Sequence, residues 1–448
     1  MSAPRAGGRA RLVSRSVRIP DVDPRAVLRA ADAPRTAWAP PDGTTVVAGG
    51  AAATIEASGV DRFDAVRAAA ADLLDGGDVH AGTEAACPRL FGGFAFHADG
   101  SSGEPWDAFP AARFVLPRVQ VTETRDGTWL TVTAVGADAT SDAVEARVDR
   151  ERDRIAGLSD PGPGTDRPGV RARRRTTDRA TWTESVEDAT HRVRAGDLRK
   201  VVLAQGLAVD LARPVSVADL LGRLGAAYPD CYRFLVEPDD EPTPAFLGAT
   251  PERLVRLHGR TVSTGALAGT TGRGDTPAED EWLAEELAAD EKNGREHDLV
   301  VGAVRDQLSP FGRVRVGERT VRRLATIQHL HTPISATLSR DAHVLDLVEA
   351  LHPTPAVGGL PPDRALATIR ETEPFDRGWY AAPVGWFDAA GNGEFAVAIR
   401  SAVVAPDRRR VTAFAGVGLV ADSDPDEEWD EVQLKYRPIL DELESRDE

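Results

Sequence analysis

Apolar positions in the first third of the chain recur mainly at every second residue, which is the period of a half-buried β-strand. Segments 92–96 and 129–135 follow this pattern, and Asp126-Gly127 just before the second segment has the composition of a hairpin turn. Residues 62–74 instead repeat apolar positions at helical spacing. This part of the chain therefore predicts strands with some helix.

The rest of the chain mixes helical and strand patterns. Residues 181–195 suit an amphipathic helix that leads into an apolar strand at 200–205, and a long helical stretch is predicted over 278–308. Segments 384–387 and 395–404 are strands around a glycine-rich turn. Because the strands come in adjacent pairs with helices between sets of pairs, the pattern predicts an α+β fold with antiparallel sheets.

Composition divides the chain into four segments. Residues 1–17 are rich in arginine and predict a flexible arm, and residues 18–156 predict a β-rich N-terminal half. Proline, glycine and aspartate dominate the start of 157–175, which is predicted to be a linker. Residues 176–448 form the second half and carry most of the candidate chemistry.

Composition and charge exclude several kinds of partner. The chain has 448 residues, of which 42% are hydrophobic and 28% charged, values typical of a globular protein. The net charge of −17 is spread along the chain, which argues against nucleic acid or an anionic membrane as a main partner. The acid excess predicts a protein suited to a salt-rich cytoplasm. A monomer is expected, although composition does not set the oligomeric state.

Cysteine use and hydropathy predict a cytoplasmic location. Cys87 and Cys231 are too few for a disulfide framework, so both are expected to be buried thiols in a reducing compartment. Residues 1–20 lack the apolar run of a signal peptide, and no segment reaches the roughly 20 apolar residues of a membrane span.

Lysine is rare in this chain, and its positions are informative. Among 54 lysines and arginines, the only lysines are Lys200, Lys292 and Lys435. Arginine cannot replace lysine where a proton must be released or a compact charge is required. The three lysines therefore mark candidate functional positions.

The C-terminal segment predicts a helix with an acidic face. Asp424 followed by Pro425 is a typical helix start. In such a helix Glu428, Glu431 and Lys435 point to one side, where they could hold a divalent cation together with an anionic ligand. A solvated face matched to the helix dipole is the alternative interpretation.

Four other positions are candidates with structural alternatives. Lys200 opens an apolar strand, where it is either a gatekeeper at a sheet edge or a desolvated base. Glu252 is either a solvent-facing turn residue or a proton donor held near apolar walls. Glu296 is either a surface acid or an oxygen ligand of the type that Mg²⁺ prefers. Arg400 lies in an apolar strand and needs an internal or a substrate carboxylate as partner.

Taken in order, these segments resemble the chorismate-utilising enzymes, which include isochorismate, salicylate, anthranilate and aminodeoxychorismate synthases. The resemblance covers roughly 181–440, and residues 90–96 and 114–118 with Trp106 resemble the N-terminal half of menaquinone-type isochorismate synthases. The resemblance implies one compact α+β unit of two large packed antiparallel sheets flanked by helices, with 176–448 as the chorismate-binding catalytic region.

The resemblance also implies catalytic and metal-binding roles. Lys200, in Lys-Val-Val-Leu-Ala, matches the lysine that activates water, and Glu252, in Ala-Thr-Pro-Glu, matches the acid that protonates the departing hydroxyl. Glu296 and Glu431 match ligands of Mg²⁺, and Glu428 belongs to the same acidic pair. Mg²⁺ is the implied cofactor.

The implied substrate contacts follow the same motifs. Arg400 and Tyr380 match residues that hold the enolpyruvyl carboxylate, while Gly416 and Lys435 match contacts to the ring carboxylate. His329, in Ile-Gln-His-Leu, matches a histidine at the substrate ring. The implied substrate-binding set is completed by Gly269, Thr270 and Ala356.

A few positions distinguish the members of this group. Members that use ammonia usually lack the lysine at position 200, so Lys200 predicts water as the nucleophile. Ala268 stands where the aminodeoxychorismate type has a covalently acting lysine, and Ala356 stands where pyruvate-eliminating members tend to have threonine. Asn293 and Gln205 depart from the residues usual in the group.

These features predict an isochorismate synthase, an isomerase that adds water at C2 of chorismate and removes the C4 hydroxyl, for menaquinone or siderophore biosynthesis. Salicylate synthase and anthranilate synthase component I are the alternative enzymes. A chorismate-binding scaffold without catalysis is the non-enzyme alternative. Chorismate is the expected partner in every case.

Overall fold

Strand pairing in the computed structural model gives the α+β fold that the sequence pattern predicts. The structure describes residues 11–41, 43–101, 103–137, 139–164, 166–238 and 242–445. The strands in these ranges are β1 Leu12–Ile19, β2 Arg35–Ala39, β3 Thr45–Ala57, β4 Asp78–His80, β5 Leu90–Phe94, β6 Ala112–Thr124, β7 Gly127–Val135, β8 Val170–Arg175, β9 Lys200–Leu211, β10 Tyr232–Glu237, β11 Ala245–Thr250, β12 Arg253–His258, β13 Thr261–Gly272, β14 Gly312–Val316, β15 Thr320–Arg323, β16 Ile327–Leu338, β17 Gly359–Leu360, β18 Pro383–Phe387, β19 Gly393–Val397, β20 Ser401–Val404 and β21 Arg410–Leu419.

The helices of the described ranges lie between sets of strands. They are α1 Pro24–Ala30, α2 Arg62–Leu74, α3 Ser141–Ala156, α4 Arg179–Arg194, α5 Val217–Ala227, α6 Pro277–Ala289, α7 Glu291–Leu308, α8 Val344–Leu351, α9 Pro362–Thr372 and α10 Pro425–Leu440, with a 3-10 turn at Glu84–Ala86. None of the helices in the described part of the chain has the length and apolar character needed to cross a membrane.

All described strands belong to one hydrogen-bonded network that branches at β6. One edge of β6 pairs with β3, whereas the other edge pairs with β5 near its start and with β7 near its end. From β3 a first arm continues through β2, β10, β11, β20, β21 and β9. From β5 a second arm continues through β18, β19, β12, β13 and β16. The two expected antiparallel sheets are thus the two arms of one network, to which β1 and β4 add a parallel pair.

Aromatic side chains pack against the first arm and at the branch strand β6. Trp106 stacks on Phe414 of β21 and meets Phe246 of β11 edge-on, each with ring centroids 5.3 Å apart. Phe114 of β6 packs against Phe387 of β18 at 5.2 Å. Each such ring removes roughly 150–250 Å² of surface from water, so these contacts stabilise the core of the network.

The predicted stretch 278–308 is two helices, α6 and α7, separated at Asp290. This residue has an extended backbone, with φ −70° and ψ 121°, and its side chain accepts a hydrogen bond from the Asn293 backbone N–H at 2.6 Å. An aspartate cap of this kind satisfies the free N–H groups at a helix start. After the break, α7 packs on β13 and β16.

Two predicted segment boundaries differ from the structure. Residues 1–10 of the predicted arm lie outside the described residues, but β1 begins at Leu12, which is buried and pairs with β7. Apolar Leu12 and Val13 therefore end the arm well before residue 17. The predicted linker 157–175 also ends early, because Val170–Arg175 is strand β8 and pairs with β9. The two predicted halves share the network through the β2–β10 and β5–β18 pairs.

Candidate active site

Every site residue predicted from the sequence lines one cavity between the two arms. Its walls come from β9 and β21 of the first arm, β13 and β16 of the second, and helices α7 and α10. The cavity has a volume of about 80 Å³. The predicted residues on its wall are Lys200, Glu252, Gly269, Thr270, Glu296, His329, Ala356, Tyr380, Arg400, Gly416, Glu428, Glu431 and Lys435.

Lys200 is a buried group of the cavity and not a solvated gatekeeper. It begins β9, its side chain is 1% exposed, and Nζ lies 2.7 Å from Glu296 Oε1. Glycine at position 418 of β21 makes room for this pair, because a Cβ there would lie 2.6 Å from both Glu296 Oε1 and Lys200 Cε. By sequence Glu296 matches a metal ligand, and in the structure it also contacts the candidate base.

Glu252 is buried beyond the end of β11. Burial raises the pKa of its carboxyl to about 7, although Lys200 and Arg400 oppose the shift. Its Oε1 lies 3.5 Å from the Thr354 hydroxyl, which donates toward it. A carboxyl with this pKa is partly protonated at neutral pH, as a general acid must be.

Helix α10 begins as predicted and brings two carboxylates to the cavity. Asp424 caps it by accepting from two backbone N–H groups, and Pro425 occupies the first turn. Glu428 is 4% exposed. Burial, together with the nearby charge of Glu431, raises its pKa to about 7. Lys292, which the sequence left without a role, places Nζ 3.6 Å from Glu428 Oε1.

Glu431 and Lys435 form an ion pair one helical turn apart. Nζ of Lys435 lies 2.6 Å from Glu431 Oε1 and donates to the Gly416 carbonyl oxygen at 2.9 Å. Burial tends to raise the pKa of Glu431, but Lys435 and a hydrogen bond from Thr270 bring it below its ordinary value. Lys435 thus joins helix α10 to β21 at the position predicted for a carboxylate anchor.

Arg400 and His329 form another part of the cavity wall. Arg400 is 6% exposed and has φ +50°, an uncommon backbone for a residue other than glycine. Its Nη2 lies 3.5 Å from His329 Nε2. His329 Nδ1 lies 3.1 Å from the carbonyl oxygen of Gly269, which can only accept, so Nδ1 carries the proton. Burial holds the pKa of His329 well below its ordinary value, and the ring is neutral.

A bulge in β13 shapes the cavity beside His329. The register against β16 shifts between Ala268 and Thr270, and Gly269 has φ +77°. A Cβ on Gly269 would lie 3.1 Å from the Asn293 side chain, so glycine fits both the backbone and the space. Asn293 itself donates from Nδ2 to Asp290 at 2.8 Å and helps to cap α7.

Tyr380 separates this cavity from a larger one. Its ring stacks on Phe414 with centroids 5.3 Å apart. Beyond Phe414 lies a cavity of about 980 Å³ whose lining contains none of the predicted site residues. The smaller cavity is therefore the better candidate for the active site, because the carboxyl groups with shifted pKa values lie on its wall.

Several residues that shape the site are not among those predicted from the sequence. Thr354 contacts the predicted acid, Gly418 makes room for the predicted base, and Arg377 also lines the cavity. The motif around Ala356 was a signal for Thr354, whereas only strand register places Gly418 beside Lys200. Gln205, noted as a departure, is fully buried on β9.

The carboxylate groups of the cavity are ligands of the type that a hard divalent cation prefers. Glu296, Glu428 and Glu431 offer only oxygen atoms, and their mutual repulsion contributes to the raised pKa of Glu428. In the described residues no group of three or more potential ligands is already close enough together to hold a metal ion. Two of the carboxylates are instead held by Lys200 and Lys435.

The fold and this cavity define the class of protein. The family described as chorismate binding enzyme matches residues 2–444, a wider span than the resemblance over 181–440. The chain therefore belongs to the chorismate-binding enzyme family, as the sequence motifs predicted.

Within this family, the chain is similar to several isochorismate synthases. Isochorismate synthase MenF of Bacillus subtilis is 38% identical over 358 residues, which cover 79% of this chain and 74% of that protein. The salicylate biosynthesis isochorismate synthase of Pseudomonas aeruginosa is 37% identical over 444 residues, covering 96% and 90%. The structure of MenF, the menaquinone-specific isochorismate synthase from Escherichia coli, superposes with a TM-score of 0.79 at 28% identity, covering 97% and 95%.

Proposed function

We propose that this protein is an isochorismate synthase, an isomerase that converts chorismate to isochorismate. The observation that carries the proposal is the convergence of Lys200 and Glu252 in one cavity, both buried and both remote from bulk solvent. Water addition with loss of a hydroxyl needs one group to take a proton and another to give one. The relatives that bear this activity in their names support the same conclusion.

Two cationic groups orient the substrate. Arg400 and the Tyr380 hydroxyl hold the enolpyruvyl carboxylate, while Lys435 and the backbone at Gly416 hold the ring carboxylate. Charge-assisted hydrogen bonds of this kind are roughly twice as strong as neutral ones. Two anchors fix both the position and the orientation of the ring, which removes much of the entropic barrier to reaction.

Lys200 and Glu252 then carry out the proton transfers. Neutral Lys200 takes a proton from water as its oxygen bonds to C2. Both ring double bonds shift, the C4–O bond breaks, and Glu252 gives its proton to the departing hydroxyl, which leaves as water. One water enters and one leaves, so the reaction is an isomerisation. Because the base must be neutral, the Lys200–Glu296 ion pair becomes a hydrogen bond in the reacting state, in which the amine donates an N–H to the carboxylate and keeps its lone pair for water.

Mg²⁺ is the proposed cofactor, and Glu296, Glu431 and Glu428 would hold it. When bound, the ion neutralises the ring carboxylate and the carboxylate cluster. The chain supplies oxygen atoms only, which favours Mg²⁺ over softer metals.

Addition of Mg²⁺ is expected to raise the melting temperature at about pH 8, because a ligand that binds only the folded state stabilises it. Glu428→Gln should reduce this increase, since it removes one carboxylate charge. Glu318→Gln, at an exposed position of the chain, is the control. A Mg²⁺-dependent increase that is equal in all three proteins, measured by differential scanning fluorimetry, contradicts the proposed ligand set.

Incubation with chorismate and Mg²⁺ tests the function. Chromatography should show isochorismate as the product, whereas fluorescent salicylate with pyruvate would establish the salicylate synthase alternative. Binding of chorismate by calorimetry without any product would establish a scaffold. Ala268 and Ala356 support the first outcome, because their methyl groups cannot act in the further reactions of other members.

Glycine at position 418 should be essential for turnover. A methyl group there would push Lys200 and Glu296 apart, and a misplacement of about 1 Å can cost about a hundredfold in rate. Gly418→Ala is therefore expected to lower kcat at least about tenfold. Gly302→Ala in α7 is the matched control, since a Cβ there meets nothing within 4 Å. Equal kcat values for the two variants would contradict the crowded geometry.

We also propose that the protein works in a salt-rich cytoplasm. Its net charge of −17 creates self-repulsion that salt screens, with a Debye length falling from about 10 Å at 0.1 M to about 3 Å at 1 M. The melting temperature and activity are expected to rise between about 0.1 and 2 M KCl. A melting temperature that is independent of salt would contradict this proposal.

A further inference from the structure

Strand β9 begins with Lys200. One edge of β9 pairs with β21, and the opposite edge pairs with two separate strands that leave a gap between them. Strand β17 pairs with this edge at Lys200 and Val201, and β8 pairs with it from Leu207 onward. In the described part of the chain, the backbone of Val202 and Ala204 between these strands bonds to groups outside any strand.

In the gap between β17 and β8, a buried ion pair forms hydrogen bonds to the backbone of β9. Arg377 Nη2 donates to the Val202 carbonyl oxygen at 2.8 Å, and the Ala204 N–H donates to Glu373 Oε1 at 2.8 Å. Arg377 Nε donates to Glu373 Oε2 at 2.8 Å. The two side chains are 1% and 3% exposed. The pair therefore offers β9 one donor and one acceptor, as an edge strand would.

The same arginine holds the loop that reaches the proposed acid. Arg377 Nη1 donates to the Val357 carbonyl oxygen at 2.7 Å. The loop 354–358 also accepts from β9, and its Thr354 hydroxyl lies 3.5 Å from Glu252 Oε1. One guanidinium thus connects the strand of the proposed base to the loop beside the proposed acid.

We propose that the Glu373–Arg377 pair is a positioning element of the reaction, which fixes the distance between Lys200 and Glu252. The inference rests on the proposed function, because it concerns the geometry of that base and that acid. Neither residue transfers a proton; both act through the backbone of β9 and the loop 354–358. Their planar, multiply bonded arrangement leaves little freedom, so the base and the acid keep one separation.

Three variants separate positioning from stability. Arg377→Lys keeps the charge, but one ammonium cannot bridge the carbonyl oxygens of Val202 and Val357 while pairing with both carboxylate oxygens. Glu373→Gln keeps an acceptor for the Ala204 N–H. The double variant Glu373→Gln with Arg377→Met leaves no lone buried charge, so it should fold even if a single variant does not.

Glu237→Gln is the matched control. Glu237 is also fully buried and paired with two arginines, Arg35 and Arg408, each at 2.6 Å, but it does not line the cavity. The Glu237→Gln substitution should lower the melting temperature and leave kcat per folded molecule unchanged. This control measures what the loss of a buried ion pair does by itself.

Steady-state kinetics with chorismate give the test. Arg377→Lys and the double variant are expected to lower kcat at least about tenfold with KM changed less than about threefold, and Glu373→Gln to lower kcat less. A folded double variant with kcat within about twofold of the parent overturns the positioning role. A decrease in kcat of Arg377→Lys and of the double variant that is no larger than the decrease in Glu237→Gln also overturns the positioning role. The parent is assayed first: a parent that forms no isochorismate overturns the proposed function itself, whereas active variants overturn only the positioning role.

Discussion

Lys200→Arg is expected to bind chorismate with nearly parental affinity and to lose turnover by about a hundredfold or more. The arginine keeps a positive charge for Glu296 at the entrance of β9, so the electrostatic environment of the cavity is preserved. A guanidinium stays protonated under all working conditions, and it cannot take a proton from water. General base catalysis of this kind contributes about 10²–10⁴ in rate.

The measurement combines calorimetry for chorismate binding with kcat from product chromatography. Arg199→Lys is the matched control, because Arg199 precedes Lys200 but is exposed. The control should keep both binding and turnover. A Lys200→Arg variant with nearly parental kcat would remove Lys200 from the mechanism.

Glu252→Gln is expected to lose turnover by about 10²–10⁴, because the amide cannot donate a proton to the departing hydroxyl. In the parent, activity should fall as the pH rises through about 7, the value to which burial raises the pKa of Glu252. The descending limb of kcat/KM against pH reports the acid of the free enzyme. Its absence from the profile would contradict the role of Glu252.

The same substitution should stabilise the protein at high pH. The pKa of Glu252 is about 7 in the folded state and 4.5 ordinarily, so its ionised form costs up to about 3 kcal/mol of folding free energy. This cost is absent below about pH 4.5, grows between about pH 4.5 and 7, and is complete above that range. Glu252→Gln should therefore unfold at higher denaturant concentration than the parent at about pH 8 and at nearly the same concentration at about pH 4.5.

Glu318→Gln is the control for this comparison, since Glu318 is exposed. It should leave unfolding unchanged at both pH values. A Glu252→Gln variant that is less stable than the parent at about pH 8 would show that the carboxylate is not the destabilising form. Gain of stability with loss of activity is the usual sign of a group kept for function.

The sequence predicted the family and the α+β fold because local and motif signals agreed. Strand pairs separated by short turns required antiparallel pairing, and Asp424 with Pro425 marked the start of α10 correctly. The resemblance brought distant residues into one site, and they do line one cavity. Where the pattern failed, at 278–308 and at residue 12, the deciding features were a cap at Asp290 and pairing with a distant strand.

The acidic C-terminal helix with its rare lysine shows what the sequence alone could determine. Helical spacing by itself places Glu428, Glu431 and Lys435 on one face. Only the tertiary structure decided that Glu428 is buried beside Lys292, and that Lys435 reaches the backbone of β21. Chain spacing fixes neighbours within a helix, whereas burial and the strand opposite depend on contacts far apart in sequence. For this reason the sequence determined which groups carry charge, and the fold determined which of those charges are paired and in which carboxyl groups burial raises the pKa.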